Sequence, residues 1–212
     1  MGNRYFVLVF ILLIIPLGRL SANFEGYISI IKETLFDTTR YNYFVKGDMV
    51  RIEELDRNQK AKNVLLVNIK SEDIFAISPS KKLYTKLNRK KDLIGEENQY
   101  VITKSDNFKM ISGYKCYQWR VKNKSKATEI SYWVAKNDLD FFEKLINILG
   151  STENTTEFYR HIPDTQGFFP MLVVERTMVR DEKMRTTVVE IAPKSINAKL
   201  FEIPSDYKLY VY

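Results

Sequence analysis

After residue 23, apolar and polar side chains alternate along most of the chain, which is the period of a strand with one face buried. Phe24-Glu25-Gly26-Tyr27-Ile28-Ser29-Ile30 puts Phe24, Ile28 and Ile30 on one face and Glu25 and Ser29 on the other. Tyr41 to Lys46 and Met49 to Leu55 flank Gly47-Asp48, a compact turn pair, and read as a hairpin. Val64 to Ile69 is almost wholly apolar, which predicts a strand covered on both faces. Asp73–Ser78 and Lys82–Leu87 lie either side of Pro79-Ser80-Lys81, and Tyr100–Lys104 adds a short strand. Tyr114–Lys122 pairs with Thr128–Ala135 across Asn123–Lys126, and Met171–Val179 with Met184–Ala192 across Arg180–Lys183. Leu200–Ile203 and Lys208–Tyr212 complete the set.

One segment changes period. Leu139, Phe142, Leu145, Ile146 and Leu149 recur at helical spacing, with Phe141 and Ile148 widening the apolar arc. Asn137 or Asp138 can cap this helix and Gly150 can stop it. A shorter helix is predicted over about Thr152–His161, before Pro163. The expected fold is therefore mainly β, of the α+β kind. About ten or eleven strands form a strongly curved antiparallel sheet or half-open barrel, and one or two helices lie over its concave face.

The first 22 residues have a different character. Arg4 precedes thirteen uncharged residues, Tyr5–Leu17, and then Gly18-Arg19-Leu20-Ser21-Ala22. A basic start, a short apolar run and a small-residue site predict a secretory signal cleaved after Ala22. The run is shorter than the roughly 20 apolar residues that span a bilayer, although an uncleaved anchor is the other reading of the same stretch. No Cys lies near the cleavage point, so no lipid-modified N-terminus is expected. One domain, from about Asn23 to Tyr212, follows, and it is expected to be soluble in the periplasm or the medium.

Composition narrows the picture further. Apolar residues make up 45% and charged residues 28%, the balance of a globular chain. The formal charge is +7; loss of Arg4 and Arg19 with the signal leaves 31 bases against 26 acids, or +5. The bases are spread along the chain, densest over Lys81-Lys82, Lys86 and Arg89-Lys90-Lys91, without the gathered patch of a nucleic-acid binder. Cys116 is the single cysteine and cannot form an internal disulfide; a buried strand position or a disulfide to a partner are its two readings.

Catalytic signatures are missing. His161 is the one histidine, it ends the second expected helix, and no Ser sits in a Gly-x-Ser-x-Gly elbow. Glu53-Glu54 and Glu96-Glu97 are adjacent carboxylates, and consecutive strand residues point to opposite faces, so the first pair cannot chelate. Neither a cofactor nor a metal is expected. Asn123-Lys124-Ser125 and Asn154-Thr155-Thr156 match the glycosylation pattern, which has meaning only in a eukaryotic secretory host. The 13 Tyr and 13 Phe either fill an aromatic core or line an apolar groove between curved sheet and helix.

Several segments resemble a known family. Tyr43-Phe44-Val45-Lys46-Gly47-Asp48-Met49-Val50-Arg51-Ile52-Glu53, Leu66-Val67-Asn68 and Phe75-Ala76-Ile77-Ser78-Pro79 are similar to the opening of the LolA-like superfamily, and closer to its DUF4412 branch. Ile111–Cys116 resembles that branch's Gly-Tyr-Lys-Cys segment, and Gly167–Glu175, Val189-Glu190-Ile191 and Leu200–Tyr207 resemble its ending. The resemblance implies a half-open antiparallel β-barrel with helices lining an apolar cavity. Relatives of that shape carry lipoproteins or other lipids across the periplasm. Sheltering an acyl chain from water gains about 0.8 kcal/mol per methylene. The lipoprotein carriers' Arg-Pro pair on the second strand corresponds here to Gly47-Asp48, which argues against handover of lipoproteins.

The leading expectation is an exported, non-enzymatic binder or carrier of a lipid-like or acyl-chain ligand. Its inward-facing residues are predicted to be Ile28, Ile30, Tyr43, Val45, Leu65, Val67, Phe75, Ile77, Trp133, Phe142 and Leu145. The alternative is a cell-envelope structural or protein-interaction module with a filled aromatic core and a protein partner.

Overall fold

The computed structural model describes residues 24–88, 99–137, 139–150 and 154–211. The signal segment, Arg89-Lys90-Lys91, Glu96-Glu97 and the Asp138 cap therefore lie outside the described residues. Twelve strands are present among those described. They are β1 (Gly26–Thr34), β2 (Thr38–Lys46), β3 (Met49–Leu55), β4 (Ala61–Asn68), β5 (Asp73–Ser78), β6 (Leu83–Leu87), β7 (Tyr100–Ile111), β8 (Tyr114–Asn123), β9 (Thr128–Lys136), β10 (Phe168–Thr177), β11 (Glu182–Pro193) and β12 (Lys208–Leu209). Two helices, α1 (Phe141–Leu149) and α2 (Asn154–Arg160), come between β9 and β10.

All strands join one sheet in the order β12-β6-β5-β4-β3-β2-β1-β11-β10-β9-β8-β7. Every pairing is antiparallel except that of the two-residue β12, which runs parallel to β6. The first strand sits mid-sheet, paired to β2 on one side and to β11 on the other. Register shifts at Ser29/Ile30, Glu54/Leu55, Lys104/Phe108, Pro170/Leu172 and Glu175/Arg176 mark bulges. Bulges bend a strand and raise its twist, so a sheet with five of them curls. Pro170, which cannot donate to a ladder, falls at one of them. Gly26 is required for a close approach: a Cβ there would lie 2.5 Å from the Ala192 carbonyl oxygen of the neighbouring strand.

Most hairpins stand where the alternation put them, and three elements differ. The short strand over Tyr100–Lys104 is a twelve-residue strand, Tyr100–Ile111, carried past the bulge by its pairing with β8. Leu200–Ile203 is not a strand: Ala198–Phe201 is a 3₁₀ turn whose Asn197 side chain accepts a hydrogen bond from the Lys199 amide. The last strand is confined to Lys208–Leu209. The first helix begins at Phe141 with Asp140, not Asn137, at its cap position and no side-chain cap bond. Gly150 ends it at φ 70°, its amide bonded to the Ile146 carbonyl at 3.0 Å.

Both faces of the β2–β6 half are covered. On the outer face, Val64, Leu66 and Ile77 are buried under Ile196 and Phe201 of the C-terminal segment. Glu25 holds that segment in place, accepting from the Ile196 amide and the Lys46 ammonium at 2.7 Å each. On the inner face, Val67 and the partly buried Leu65 join the cluster that includes α1. The near-continuous apolar run of β4 thus reflects cover on both sides, as its pattern predicts.

A candidate ligand groove under the helices

The concave face of β1–β6 is organised in cross-strand rows set by the ladder register. At one end Val45, Val50, Val67 and Ile74 lie opposite one another in sequence across four strands. All four are buried and pack with Leu145 and Ile148 of α1 in a single cluster. The next row is Ile28, Tyr43, Ile52, Leu65, Ala76 and Thr85. Beyond it come Ile30, Tyr41, Glu54 and Asn63. The first row is wholly aliphatic, the second adds Tyr43 and Thr85, and the third ends in Glu54 and Asn63.

Packing changes in step. The aliphatic end is filled. At the second and third rows a half-open hollow of about 240 Å³ lies between the sheet and the helices. Ile30, Tyr41, Tyr43, Ile52 and Leu65 form its sheet wall, and Phe142, Leu145, Ile146, Leu149 and Tyr159 its helical wall. Tyr41, Ile52 and Leu65 also border a second pocket of about 620 Å³, which extends over Ala76, Leu83 and Tyr84 toward the edge where β12 pairs with β6. The two hollows share Tyr41, Ile52 and Leu65 as a common wall and lie side by side along the concave face, here called the groove.

The helices are fixed by specific contacts. Phe158 of α2 is fully buried beneath the ring of Tyr100, whose centroid is 5.1 Å away in an edge-on contact. Phe142 meets both Tyr159 and Phe169 edge-on, at 5.6 and 4.8 Å. Tyr132 is 1% exposed and donates its hydroxyl to the Thr155 carbonyl at 2.7 Å; burial raises its pKa, so it stays a neutral donor. Tyr159 is likewise pushed up by burial and donates to the Phe168 carbonyl at 3.1 Å. Glu157 accepts from the Lys126 ammonium and from Tyr100, both at 2.5 Å at the closest. Burial alone would raise the Glu157 pKa, but these donors outweigh it and hold the carboxyl below its usual value. Tyr100 moves the other way, to about 12, through burial and then the Glu157 hydrogen bond.

Polar groups mark the open side. Glu54 is 3.0 Å from both the Asn63 amide and the Lys62 ammonium, and those bonds lower its pKa, Asn63 contributing most. Its neighbour Glu53 faces the other way and pairs with Arg51 at 2.7 Å, so the adjacent carboxylates diverge. His161 stacks on Tyr100 with centroids 3.9 Å apart. Cys116 is fully buried, and burial raises its thiol pKa, the opposite of an activated nucleophile. Among the described residues no group of three or more His, Cys, Asp or Glu could hold a metal, and no helix is long and apolar enough to cross a membrane. Asn123 is fully buried with its side-chain oxygen bonded to the Lys126 amide, which leaves that glycosylation pattern inaccessible.

Of the inward-facing expectations, Ile30, Tyr43, Leu65, Phe142 and Leu145 line the cavity. Val45 and Val67 belong to the first row and fill the solid end, and Ile28, of the second row, is packed in the same core without lining the cavity. Phe75 and Ile77 are on the wrong side. Pairing places Leu65 against Ala76 and Leu66 against Phe75, so Phe75 and Ile77 face the C-terminal segment, although Ile77 also touches the rim of the larger pocket. Trp133 is also on the opposite face from the cavity: β8 and β9 pair without a bulge, so Trp133 and the lining residue Tyr132 diverge. The Lys109 ammonium sits over the Trp133 ring at 4.1 Å. Sequence reasoning missed Tyr41, Ile52 and Tyr132. Tyr41 and Ile52 follow from the same two-residue period that selects Tyr43, whereas Tyr132 requires knowing which face of β9 meets α2.

A family model described as "Domain of unknown function (DUF4412)" matches residues 24–207. The chain belongs to the DUF4412 family. No curated protein matches its sequence significantly. In structure, this DUF4412 chain is similar to an uncharacterized conserved protein from Thermus thermophilus, with a TM-score of 0.57 at 6% identity over 90% of this chain and 91% of that one. It is also similar to a chain of the Pseudomonas aeruginosa MucA/MucB complex, with a TM-score of 0.54 at 7% identity over 91% of this chain and 60% of that one. A structure of MucB in complex with MucA(peri) gives 0.51 at 8% identity, over 91% and 58%. The DUF4412 chain thus spans about 60% of the MucB-complex chain it matches. At such identities the likeness is one of fold, the open curved sheet with its helices.

Proposed function

We propose that the protein is an exported, non-enzymatic carrier that takes an apolar, lipid-like ligand into the groove between the concave sheet and α1–α2. One observation carries this reading: the apolar side chains of the second and third rows face a hollow instead of each other. The cavity under the helices and the larger open pocket share Tyr41, Ile52 and Leu65 as a common wall. Ligand sites are concave and mostly apolar, with a few polar groups at one side. Here the apolar wall lies under the helices, and Glu54 and Asn63 stand at the open side. An acyl chain laid along the groove would leave its polar end at that border.

The test is native mass spectrometry of protein purified from the producing cell, followed by organic extraction. A bound mass released as a lipid supports the carrier. A clean unliganded mass, together with no uptake of an added fatty acid or phospholipid, refutes it. A second reading, a cell-envelope protein-interaction module, is favoured by the resemblance to MucB, whose structures include complexes with MucA. It requires reproducible capture of a protein partner by lipid-free protein.

A further inference from the structure

Two adjacent turns at one end of the sheet hold apolar side chains out into water. In the β1–β2 turn, Leu35 is 71% and Phe36 95% exposed; in the β10–β11 turn, Met178 is 44% and Val179 79% exposed. The turns are neighbours because β1 pairs with β11, bringing Thr34 opposite Met184. Neither turn is loose. The Thr34 amide donates to the Asp37 carbonyl at 2.8 Å, and the Thr34 hydroxyl accepts from the Asp37 amide at 3.1 Å. The second turn repeats the device: the Thr177 amide donates to the Asp181 carbonyl at 2.9 Å, and the Thr177 hydroxyl accepts from the Asp181 amide at 3.1 Å. The apolar residues are thus displayed by closed turns, and projecting apolar groups of this kind mark an interaction site.

Charge is distributed to match. The register puts the β3–β4, β5–β6 and β8–β9 turns at the same end, since Arg40 pairs with Leu55, Val64 with Ile77 and Thr177 with Thr128. Those turns bring Arg57, Lys60, Lys81 and Lys124, and Arg180 stands in the β10–β11 turn itself. Asp37, Asp56 and Asp181 are the acids within these turns; of the acids beside them, Glu182 is paired with Arg176 and Arg185, Asp206 with Lys82 and Glu157 with Lys126. The opposite end carries Asp48, Glu72 and Asp140 with Lys70, Lys115, Lys136 and Lys194, without an excess of apolar tips. The sheet therefore has one end at which turn bases outnumber turn acids and apolar side chains project.

We propose that the basic end docks on an anionic lipid surface. Leu35, Phe36, Met178 and Val179 enter the interface, and the surrounding Lys and Arg side chains face the headgroup phosphates. Shallow insertion of apolar residues combined with attraction to anionic lipid is the physics of surface-bound amphipathic elements. A protein partner fits less well. Protein interfaces need roughly 800 Å² per side around a closely packed centre, and two projecting tips do not offer a broad face. The groove runs toward this same end, since Lys32, Ser78 and Lys81 on its border adjoin these turns in sequence. Docking does not require the groove to be occupied, so the two proposals fail separately.

The experiment is co-flotation, with the chain in the form its producing cell exports, on phosphatidylcholine vesicles with and without about one-third phosphatidylglycerol. Binding should need the anionic lipid and weaken as salt rises. The double variant Leu35→Ser/Phe36→Ser should bind about tenfold more weakly or worse, with unchanged thermal unfolding because both side chains lie outside the core. The indole introduced by Phe36→Trp should shift its emission to the blue on vesicle addition and be quenched by brominated acyl chains. The proposal is overturned if the wild-type chain ignores anionic vesicles at low salt, or if the double variant binds as well as wild type. It is overturned equally if the emission of the Phe36→Trp variant responds to a protein partner and not to vesicles.

Discussion

Leu65 and Val67 lie two residues apart on the same strand and the same face, yet only Leu65 borders the hollow. Val67 is fully buried in the filled end. Enlarging each to Trp gives opposite signs. At Leu65 the indole can occupy empty space, and roughly 50 Å² of additional apolar burial at about 25 cal/mol per Å² stabilises by roughly 1.3 kcal/mol. At Val67 no space exists, and overpacking costs about 1–3 kcal/mol or more. Urea unfolding of both variants reads the difference as a midpoint shift at constant slope. Leu65→Trp should raise the midpoint and remove any co-purifying lipid; Val67→Trp should lower it. If Leu65→Trp destabilises as much as Val67→Trp does, the second row is closed and there is no groove to fill.

Other consequences follow from single contacts. Phe158→Ala empties a fully buried site under α2 and should cost about 3–5 kcal/mol in global unfolding, with amide exchange in α2 rising most. Glu157→Gln should weaken the hold of α2 on the β8–β9 turn by about 1–2 kcal/mol, because charge-assisted hydrogen bonds from Lys126 and Tyr100 are lost. Since the Glu157 pKa is lower in the folded state, its contribution is complete above the ordinary carboxylate range and fades as pH falls through the depressed folded value. The stability difference between wild type and Glu157→Gln should therefore shrink on acidification, and a gap independent of pH would exclude the charge mechanism. Phe201→Ala, which uncovers Val64, Leu66 and Ile77 on the outer face, should cost about 3 kcal/mol and increase binding of a hydrophobic dye.

Much of the sheet was legible because its cause is local. Gly47, at φ +57°, with Asp48 turns β2 into β3, and the alternation on either side fixes which residues share a face. Long-range information was missing where the sequence pattern has two solutions. The run Val64-Leu65-Leu66-Val67 announces cover on both faces, but cannot say that helices lie over Leu65 and the C-terminal segment over Leu66. Phe75 and Ile77 were misassigned for that reason: they alternate correctly, on the face that the chain covers with Ile196 and Phe201, more than a hundred residues away. Trp133 carries the larger ring, yet register makes its neighbour Tyr132 the lining residue. The segment at Leu200 is apolar like a strand, and its 3₁₀ turn is set by the Asn197 side chain and by packing on the outer face. The groove itself is a void, and a void has no residue pattern of its own.

The seam between β1 and β11 has a kinetic consequence. Residues 26–34 gain their second neighbour only when residues 182–193 arrive, so the middle of the sheet closes only after the penultimate strand is made. Until then two half-sheets, β1–β6 and β7–β10, expose edges that close only across most of the polypeptide's length, and ordering over such separations is slow. A sheet wired this way gains its central hydrogen-bond ladder only when its penultimate strand is available, so its two halves meet late in the ordering of the chain.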